Sequence, residues 1–245
     1  MGLGRGLCFS TLGLGWVVMC GRYVLARSTA NLADVFSIDT TDDGLPAGSY
    51  NIAPSQPIPI VVAVDDRRRL VAARWGLVPR FAKSLTSGPT PFNARVEKLE
   101  TSPLYRGPFA TRRAIIPADG FYERRQTDKQ SFYIHAADGS PLAFAGVYEW
   151  WRPANQPDVP WLLSAAVITC DSQAEMSAIH DRQPLCLPQD MWVEWLDPTG
   201  ASSRLIEVAL EGTSQITKTW EYRSISADWL STRPGQRRDD PGLIG

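Results

Sequence analysis

The chain has 245 residues, of which 44% are hydrophobic and 21% are charged, and its formal net charge is -1 at pH 7. This length allows a substantial buried core, and the near-neutral charge excludes a surface coated in positive charge. A local basic groove remains open, because arginines cluster at 67–69, 112–113, 124–125 and 237–238. The four cysteines lack a CxxC spacing and only two histidines occur, so we expect no disulfide framework, no metal and no cofactor.

The chain opens with an apolar, glycine-rich leader, residues 1–18, which is followed by "MCGRY". Three interpretations are open: a secretion or lipoprotein signal, a propeptide that is removed, or sequence upstream of a true start at Met19. Met19 is not the small residue that a signal-type cleavage site requires. We therefore favour a start at Met19, and removal of that methionine would make Cys20 the amino-terminal residue.

Hydrophobic periodicity and turn residues predict the elements that follow. Helices are predicted at 28–38, 171–180 (capped by Asp171) and 188–196, and a helix-like start at Asn93 breaks at Pro103. Strands are predicted at 50–64, 67–79 and 161–170, with a strand–turn–strand unit at 112–125 and a hairpin at 131–151. The turns fall at Asp65–Asp66, Asp119–Gly120 and Asp138–Gly139. Strands outnumber helices, so we expect a single α+β domain over 19–232 with a mainly antiparallel sheet, and a loose tail over 233–245.

Four side chains are candidates for chemistry. A terminal Cys20 presents a thiol and an α-amine that both titrate near neutral pH, and together they can close on one aldehyde as a five-membered thiazolidine. His180 is a natural proton shuttle, and Glu123 is a candidate general acid or base. Asn93 could hold a substrate oxygen or cap a helix. Each also has a structural interpretation: a buried thiol, a helix-terminal histidine, a surface carboxylate and a helix cap.

A second group of side chains suits a nucleic-acid strand. Guanidinium groups fit phosphate geometry, and exposed aromatic rings stack on unpaired bases, although core packing is the ordinary role of such rings. Asn51 is either a turn residue or an amide that lines a site. The candidates for DNA binding are Arg22, Asn51, Trp75, Phe81, Arg95 and Arg182.

Six motifs occur in one order along the chain: "MCGRY", "YNIAP", "RWGLVP", "FNARVE", "IIPADGFYE" and "IHDRQP". In order and spacing this series resembles the SOS response-associated peptidase (SRAP) family of abasic-site processing proteins, from Met19 to about Leu187. Four features depart from the family pattern. They are the leader, Arg124 in place of an aromatic after "FYE", the lack of the usual basic residue near Pro103, for which Arg106 would substitute, and the tail "STRPGQRRDDPGLIG", which resembles the family's ending only loosely.

The resemblance implies a single α+β domain with a barrel-like, twisted sheet and a groove for single-stranded DNA. Cys20 would form a thiazolidine crosslink with the ring-opened abasic sugar. Asn93 would position that sugar, Glu123 would transfer protons, and His180 would shuttle them. The resemblance further implies phosphate contacts by Arg22, Arg95 and Arg182, and a groove lined by Asn51, Trp75 and Phe81.

The resemblance also implies a cellular setting. A monomer would act in the DNA damage and SOS responses, in the cytoplasm and on the nucleoid, with replication-fork proteins as further partners and no membrane. Lyase-like imine chemistry and self-removal of the residues before Cys20 belong to the same expectation. Two other functions stay open: a thiol peptidase that uses Cys20, His180 and Asn93, and a secreted or lipid-anchored binding protein, which only the leader favours.

Overall fold

The computed structural model describes residues 21–200 and 203–226; the predictions for the leader, for Cys20 and for the tail lie outside them. The strands are β1 Tyr23–Leu25, β2 Thr40–Thr41, β3 Ser49–Ile52, β4 Pro57–Val64, β5 Arg67–Trp75, β6 Asn93–Arg95, β7 Arg113–Ala118, β8 Gly120–Arg124, β9 Ser131–Ala136, β10 Leu142–Trp151, β11 Leu162–Asp171, β12 Arg182–Pro184 and β13 Trp220–Ile225. The helices are α1 Thr29–Phe36, α2 Arg106–Thr111, α3 Trp192–Leu196 and α4 Ser203–Thr217, with 3-10 turns at Val96–Lys98, Ala174–Ala178 and Gln189–Met191.

The larger sheet closes on itself. Its strand order is β12-β11-β10-β7-β4-β5-β2, and β5 also pairs in parallel with β11, at Ser164 to Arg74 and Ala165 to Trp75. This second pairing joins β11, β10, β7, β4 and β5 into a ring, and a closed ring leaves none of its five strands with an unpaired edge. Most pairs in the ring are antiparallel. The α+β prediction, with a mainly antiparallel, barrel-like sheet, is confirmed.

The smaller sheet packs against this barrel and has the strand order β13-β9-β8-β1-β3. The chain passes from β7 of the barrel to β8 of the smaller sheet through one residue, Asp119. The backbone N–H of Asp119 donates to the carbonyl of Val24 (2.7 Å), and its carboxylate accepts from the backbone N–H of Ala26 and from Arg27. Asp119 therefore fixes the end of β1 at the junction of the two sheets.

The structure has strands on both sides of Asp119, as predicted at 112–125, whereas the hairpin predicted at 131–151 is wrong. The strands flanking Asp119 lie in different sheets, because β7 pairs with β10 and β4 whereas β8 pairs with β1 and β9. The turn at Asp138–Gly139 exists, and Gly139 has a positive φ of 70°. The two strands that it joins nevertheless separate, with β9 in the smaller sheet and β10 in the barrel.

Two helix predictions also need correction. Asn93 does not cap a helix, because it begins the short strand β6, which pairs in parallel with β11 at Val167. Asp171 does not cap the 3-10 turn Ala174–Ala178, because it ends β11 and binds Arg182 instead. The sequence analysis missed α4 and β13, which extends the smaller sheet beyond β9. Helix α1 is confirmed, with the Ser28 side chain accepting from the N–H of Asn31.

Candidate functional site

The described chain begins at the edge where β1 meets β8. Tyr23 of β1 pairs with Phe121 of β8, and the N–H of Tyr122 donates to the carbonyl of Arg22 over 3.0 Å. Gly21 therefore lies next to the part of β8 that carries Glu123. Cys20 itself lies outside the described residues, and Gly21 is the residue to which it is covalently joined.

Glu123 occupies the penultimate position of β8 and is only 4% exposed. One carboxylate oxygen accepts a hydrogen bond from the backbone N–H of Arg124 (3.1 Å). A surface carboxylate was the structural alternative for this residue, and its burial removes that alternative. A buried carboxylate beside the start of the described chain is placed as a proton-transfer group would be.

Asn93 is half-buried at the start of β6. The Tyr105 hydroxyl donates to its carbonyl oxygen (3.2 Å), and burial raises the pKa of Tyr105 to about 12, which keeps this hydroxyl a donor at neutral pH. The pairing with Val167 and the Tyr105 contact fix the backbone of Asn93. Its side chain can therefore be held in one orientation.

Trp75 lies in the core and joins the two segments that flank the site. Its ring makes edge contacts with Tyr23 and Phe92, with centroids 5.1 and 5.7 Å away, and its Nε1–H donates to the carbonyl of Phe92 (2.9 Å). Trp75 is 1% exposed, so its ring has no free face for a DNA base. Its position fits a residue that sets the spacing between β1 and Asn93.

His180 is 2% exposed, and its Nδ1 has two neighbours. The backbone N–H of Arg182 donates to Nδ1 (3.1 Å), and a carboxylate oxygen of Asp181 lies 2.8 Å from the same atom. An unprotonated Nδ1 accepts from the Arg182 N–H, and a protonated Nδ1 donates to Asp181. It therefore has a partner in either state, and Nε2 is buried with no hydrogen-bond partner among the described residues.

Arg182, predicted to contact phosphate, is buried and already paired. Its guanidinium donates to both carboxylate oxygens of Glu97 (2.7 and 3.1 Å), to Asp171 (2.5 Å) and to the carbonyl of Thr169. Burial opposes its charge, but these carboxylates outweigh burial and raise the pKa of Arg182. Its position fits a structural tie that holds the His180 segment against β11 and the turn after β6.

The remaining predicted DNA contacts fall into two groups. Arg22 donates from Nη1 to the side-chain oxygen of Asn51 (2.7 Å), burial lowers the pKa of Arg22, and Asn51 is 1% exposed. Asn51 therefore orients Arg22 rather than offering its own amide to solvent. Arg95 is exposed on β6, and Phe81 is 69% exposed in the loop after β5. Arg95 and Phe81 are accessible to a ligand.

The sequence analysis missed Asp181, whose carboxylate contacts His180 while 75% of its side chain stays exposed. Its only signal was its place in "IHDRQP". Across 21–200 and 203–226, no three His, Cys, Asp or Glu side chains converge as a metal site requires. In the same residues no helix is long and apolar enough to cross a membrane.

Solved structures share this fold. A protein from Bacteroides thetaiotaomicron superposes with a TM-score of 0.75 at 22% identity, over 92% of this chain and 98% of its own. A phage-related protein from Bordetella bronchiseptica superposes with a TM-score of 0.66 at 26% identity, over 84% of this chain and 94% of its own.

Sequence comparison identifies relatives and a family. The abasic site processing protein YoqW of Bacillus subtilis is 36% identical over 200 residues, which cover 79% of this chain and 87% of YoqW. The abasic site processing protein YedK of Escherichia coli is 30% identical, over 79% of this chain and 86% of its own. A sequence model of the family described as SOS response associated peptidase (SRAP) matches residues 19–228. The chain therefore belongs to the SRAP family.

Proposed function

We propose that this protein processes abasic sites in single-stranded DNA by forming a covalent link between Cys20 and the ring-opened sugar. The observation that carries the proposal is the start of the described chain, where Gly21 and Arg22 lie against the strand that bears the buried Glu123. A terminal residue attached there would present its amine and thiol beside a proton-transfer group. Relatives at 30–36% identity are named abasic site processing proteins, which supports the same substrate.

The chemistry balances without a cofactor. The α-amine of Cys20 attacks the C1′ aldehyde of the opened sugar, and loss of one water gives an imine. The thiol sulfur then bonds to the same carbon while the imine nitrogen takes a proton, which closes the thiazolidine. The reactive form of the chain must therefore have Cys20 as its first residue, whether translation starts at Met19 or the preceding residues are cleaved.

The proposed roles follow from the environment of each side chain. Glu123 transfers protons during imine formation and reversal, and Nε2 of His180 shuttles the proton needed for ring opening and closure. Asn93 positions the sugar from a fixed backbone. Arg95 and Arg22 are the proposed phosphate contacts, and Phe81 is the proposed stacking contact. We further expect a monomer that acts in the cytoplasm on nucleoid DNA.

The test is an intact-mass measurement on protein that begins at Cys20, before and after incubation with an abasic single-stranded oligonucleotide. The expected gain is the mass of one oligonucleotide minus one water. A matched oligonucleotide whose sugar aldehyde has been reduced to an alcohol should give no adduct. Cys20→Ala and Cys20→Ser keep the α-amine and lose the thiol, so each should form only a labile imine.

Two outcomes would overturn the proposal. An equally durable adduct with Cys20→Ser would contradict thiazolidine formation. Turnover of peptides without any DNA adduct would instead favour a thiol peptidase built on Cys20, His180 and Asn93.

A further inference from the structure

Two exposed tryptophans that are not among the proposed DNA contacts lie near the loop that carries Phe81, which is one of those contacts. Trp150 near the end of β10 is 45% exposed, and Trp161 just before β11 is 48% exposed. Phe81, in the loop after β5, is 69% exposed. Large apolar side chains grouped on a surface mark an interaction site more often than chance. We call these three residues the aromatic platform.

Arginines accompany the aromatic platform. Arg80 and Arg112 line a cleft of about 420 Å³ together with Glu149, Trp150 and Trp161. Arg112 pairs with Glu149 over 3.0 Å, which neutralises the carboxylate that lines the cleft. The guanidinium carbon of Arg152 lies 4.5 Å from the ring centroid of Trp161. Arginine next to exposed indole rings is the combination that binds single-stranded nucleic acid without reading its sequence.

The aromatic platform is joined through the backbone to the residues of the proposed DNA groove. The indole N–H of Trp151 donates to the carbonyl of Ala82 (2.8 Å), so the loop that carries Phe81 is held against β10. Val167, which pairs with Asn93, lies six positions after Trp161 along the chain. At about 3.3 Å per residue, this separation is roughly 20 Å. A strand whose abasic sugar lies at Asn93 would reach the platform several nucleotides away.

We propose that the aromatic platform binds the single-stranded DNA that flanks the abasic sugar, with bases stacked on Trp150 and Trp161 and phosphates near Arg80 and Arg152. This inference rests on the proposed function and specifies its substrate as an extended strand. A second copy of the chain fits the surface less well, because a two-fold interface would set the arginines of one copy against those of the other.

The test measures binding of the full chain to undamaged, fluorescently labelled oligothymidylate by anisotropy. One probe has about 20 nucleotides and spans both regions, and one of about 3 nucleotides is too short to reach from the groove to the platform. Trp150→Ala and Trp161→Ala should each weaken binding of the long probe about tenfold and leave the short probe unchanged. Val193→Ala, which alters another exposed apolar side chain on α3, is the matched control.

Arg152 supplies an independent test. Arg152→Gln should reduce by about one the slope of log affinity against log salt for the long probe, and Arg152→Lys should restore it. Three results would overturn the platform: no loss with either tryptophan variant, equal loss with both probes, or a change in oligomeric state that assigns the surface to a second copy. These probes carry no aldehyde, so the binding test does not depend on crosslinking. If the tryptophan variants weakened only the long probe but the unaltered protein formed no crosslink, the proposed function alone would be refuted.

Discussion

At the scale of single residues, His180 is buried and has two different partners at one ring nitrogen. Its Nδ1 faces a backbone donor on Arg182 and a carboxylate acceptor on Asp181. The form with a proton on Nδ1 is stabilised by Asp181, and the form without it is stabilised by the Arg182 N–H. Neither form leaves Nδ1 unsatisfied, so these two partners hold the orientation of the ring.

Replacement of Asp181 by Asn should slow crosslinking about tenfold, because the amide no longer stabilises the Nδ1-protonated ring. This loss is smaller than the ~10²–10⁴-fold that a proton-transferring group supplies, since His180 itself remains. Single-turnover crosslinking of the variant and of the unaltered protein measures the loss. The Asp181 side chain is 75% exposed, so thermal stability and non-covalent binding should not change. An unaltered crosslinking rate would assign Asp181 to the surface alone.

Replacement of Glu123 by Gln should slow both formation and reversal of the adduct, because the amide keeps the shape of the side chain and loses its proton-transfer capacity. The measurement is the approach to saturation with an abasic oligonucleotide, followed by release into excess competitor. Unchanged rates in both directions would remove Glu123 from the mechanism. As a control, Glu97→Gln changes a carboxylate that the structure assigns to Arg182 instead.

At the scale of elements, two arginines that both lie in motifs of the series have different tasks. Arg95 is exposed on β6, whereas Arg182 is buried at the start of β12 against Glu97 and Asp171. From the sequence alone, both guanidinium groups fit a phosphate equally well. Burial and existing partners separate them, and neither quantity can be derived from the local sequence.

Replacement of Arg182 by Gln should lower the free energy of unfolding by about 1–3 kcal/mol, the range for hydrogen bonds to charged groups that are partly exposed. Arg95→Gln should leave stability unchanged and weaken DNA binding, with a salt slope smaller by about one. Denaturant unfolding and salt-dependent anisotropy measure the two effects. The reverse pattern would exchange the roles of the two arginines.

The Arg182 effect should also depend on pH. Arg182 holds the pKa of Glu97 below its ordinary value of 4.5, although burial works against this. The ion pair between Arg182 and Glu97 is therefore fully formed at pH values above the ordinary pKa of Glu97. Its contribution to stability is lost as the pH falls through the lowered pKa of Glu97. The stability gap between the unaltered protein and Arg182→Gln should be largest near neutral pH and should narrow in acid. A gap that widens in acid would contradict the pairing.

The sequence predicted the positions of the strands better than it predicted which strands pair with each other. Alternating and apolar runs located β4, β5 and β11, because such patterns depend on which face of a strand is buried. The same patterns do not say which strand pairs with which, so β9 and β10 were wrongly predicted to form a hairpin. Motif order supplied the candidate site residues, and it did not reveal that Trp75 is buried.

At the scale of the whole molecule, the barrel and the smaller sheet each carry part of the candidate site. The smaller sheet carries Gly21 and Glu123, and the barrel carries Asn93 through β6 and β11. The relative position of the two sheets therefore sets the distance between the proposed nucleophile and the group that would hold the sugar. Trp75, which contacts Tyr23 and Phe92 at once, is the side chain that spans this junction.

Replacement of Trp75 by Phe should lower stability by about 2–4 kcal/mol, because it opens a cavity and leaves the Phe92 carbonyl without its indole donor. It should also slow crosslinking at temperatures where the protein stays folded, because β1 and Asn93 lose their common contact. Trp192→Phe is the matched control, since that buried indole donates to the carbonyl of Leu187 and packs on Phe36, on a different set of partners. Denaturant unfolding and single-turnover crosslinking of both variants separate the two effects. If both variants lost stability and crosslinked equally well, Trp75 would support the core without setting the geometry of the site.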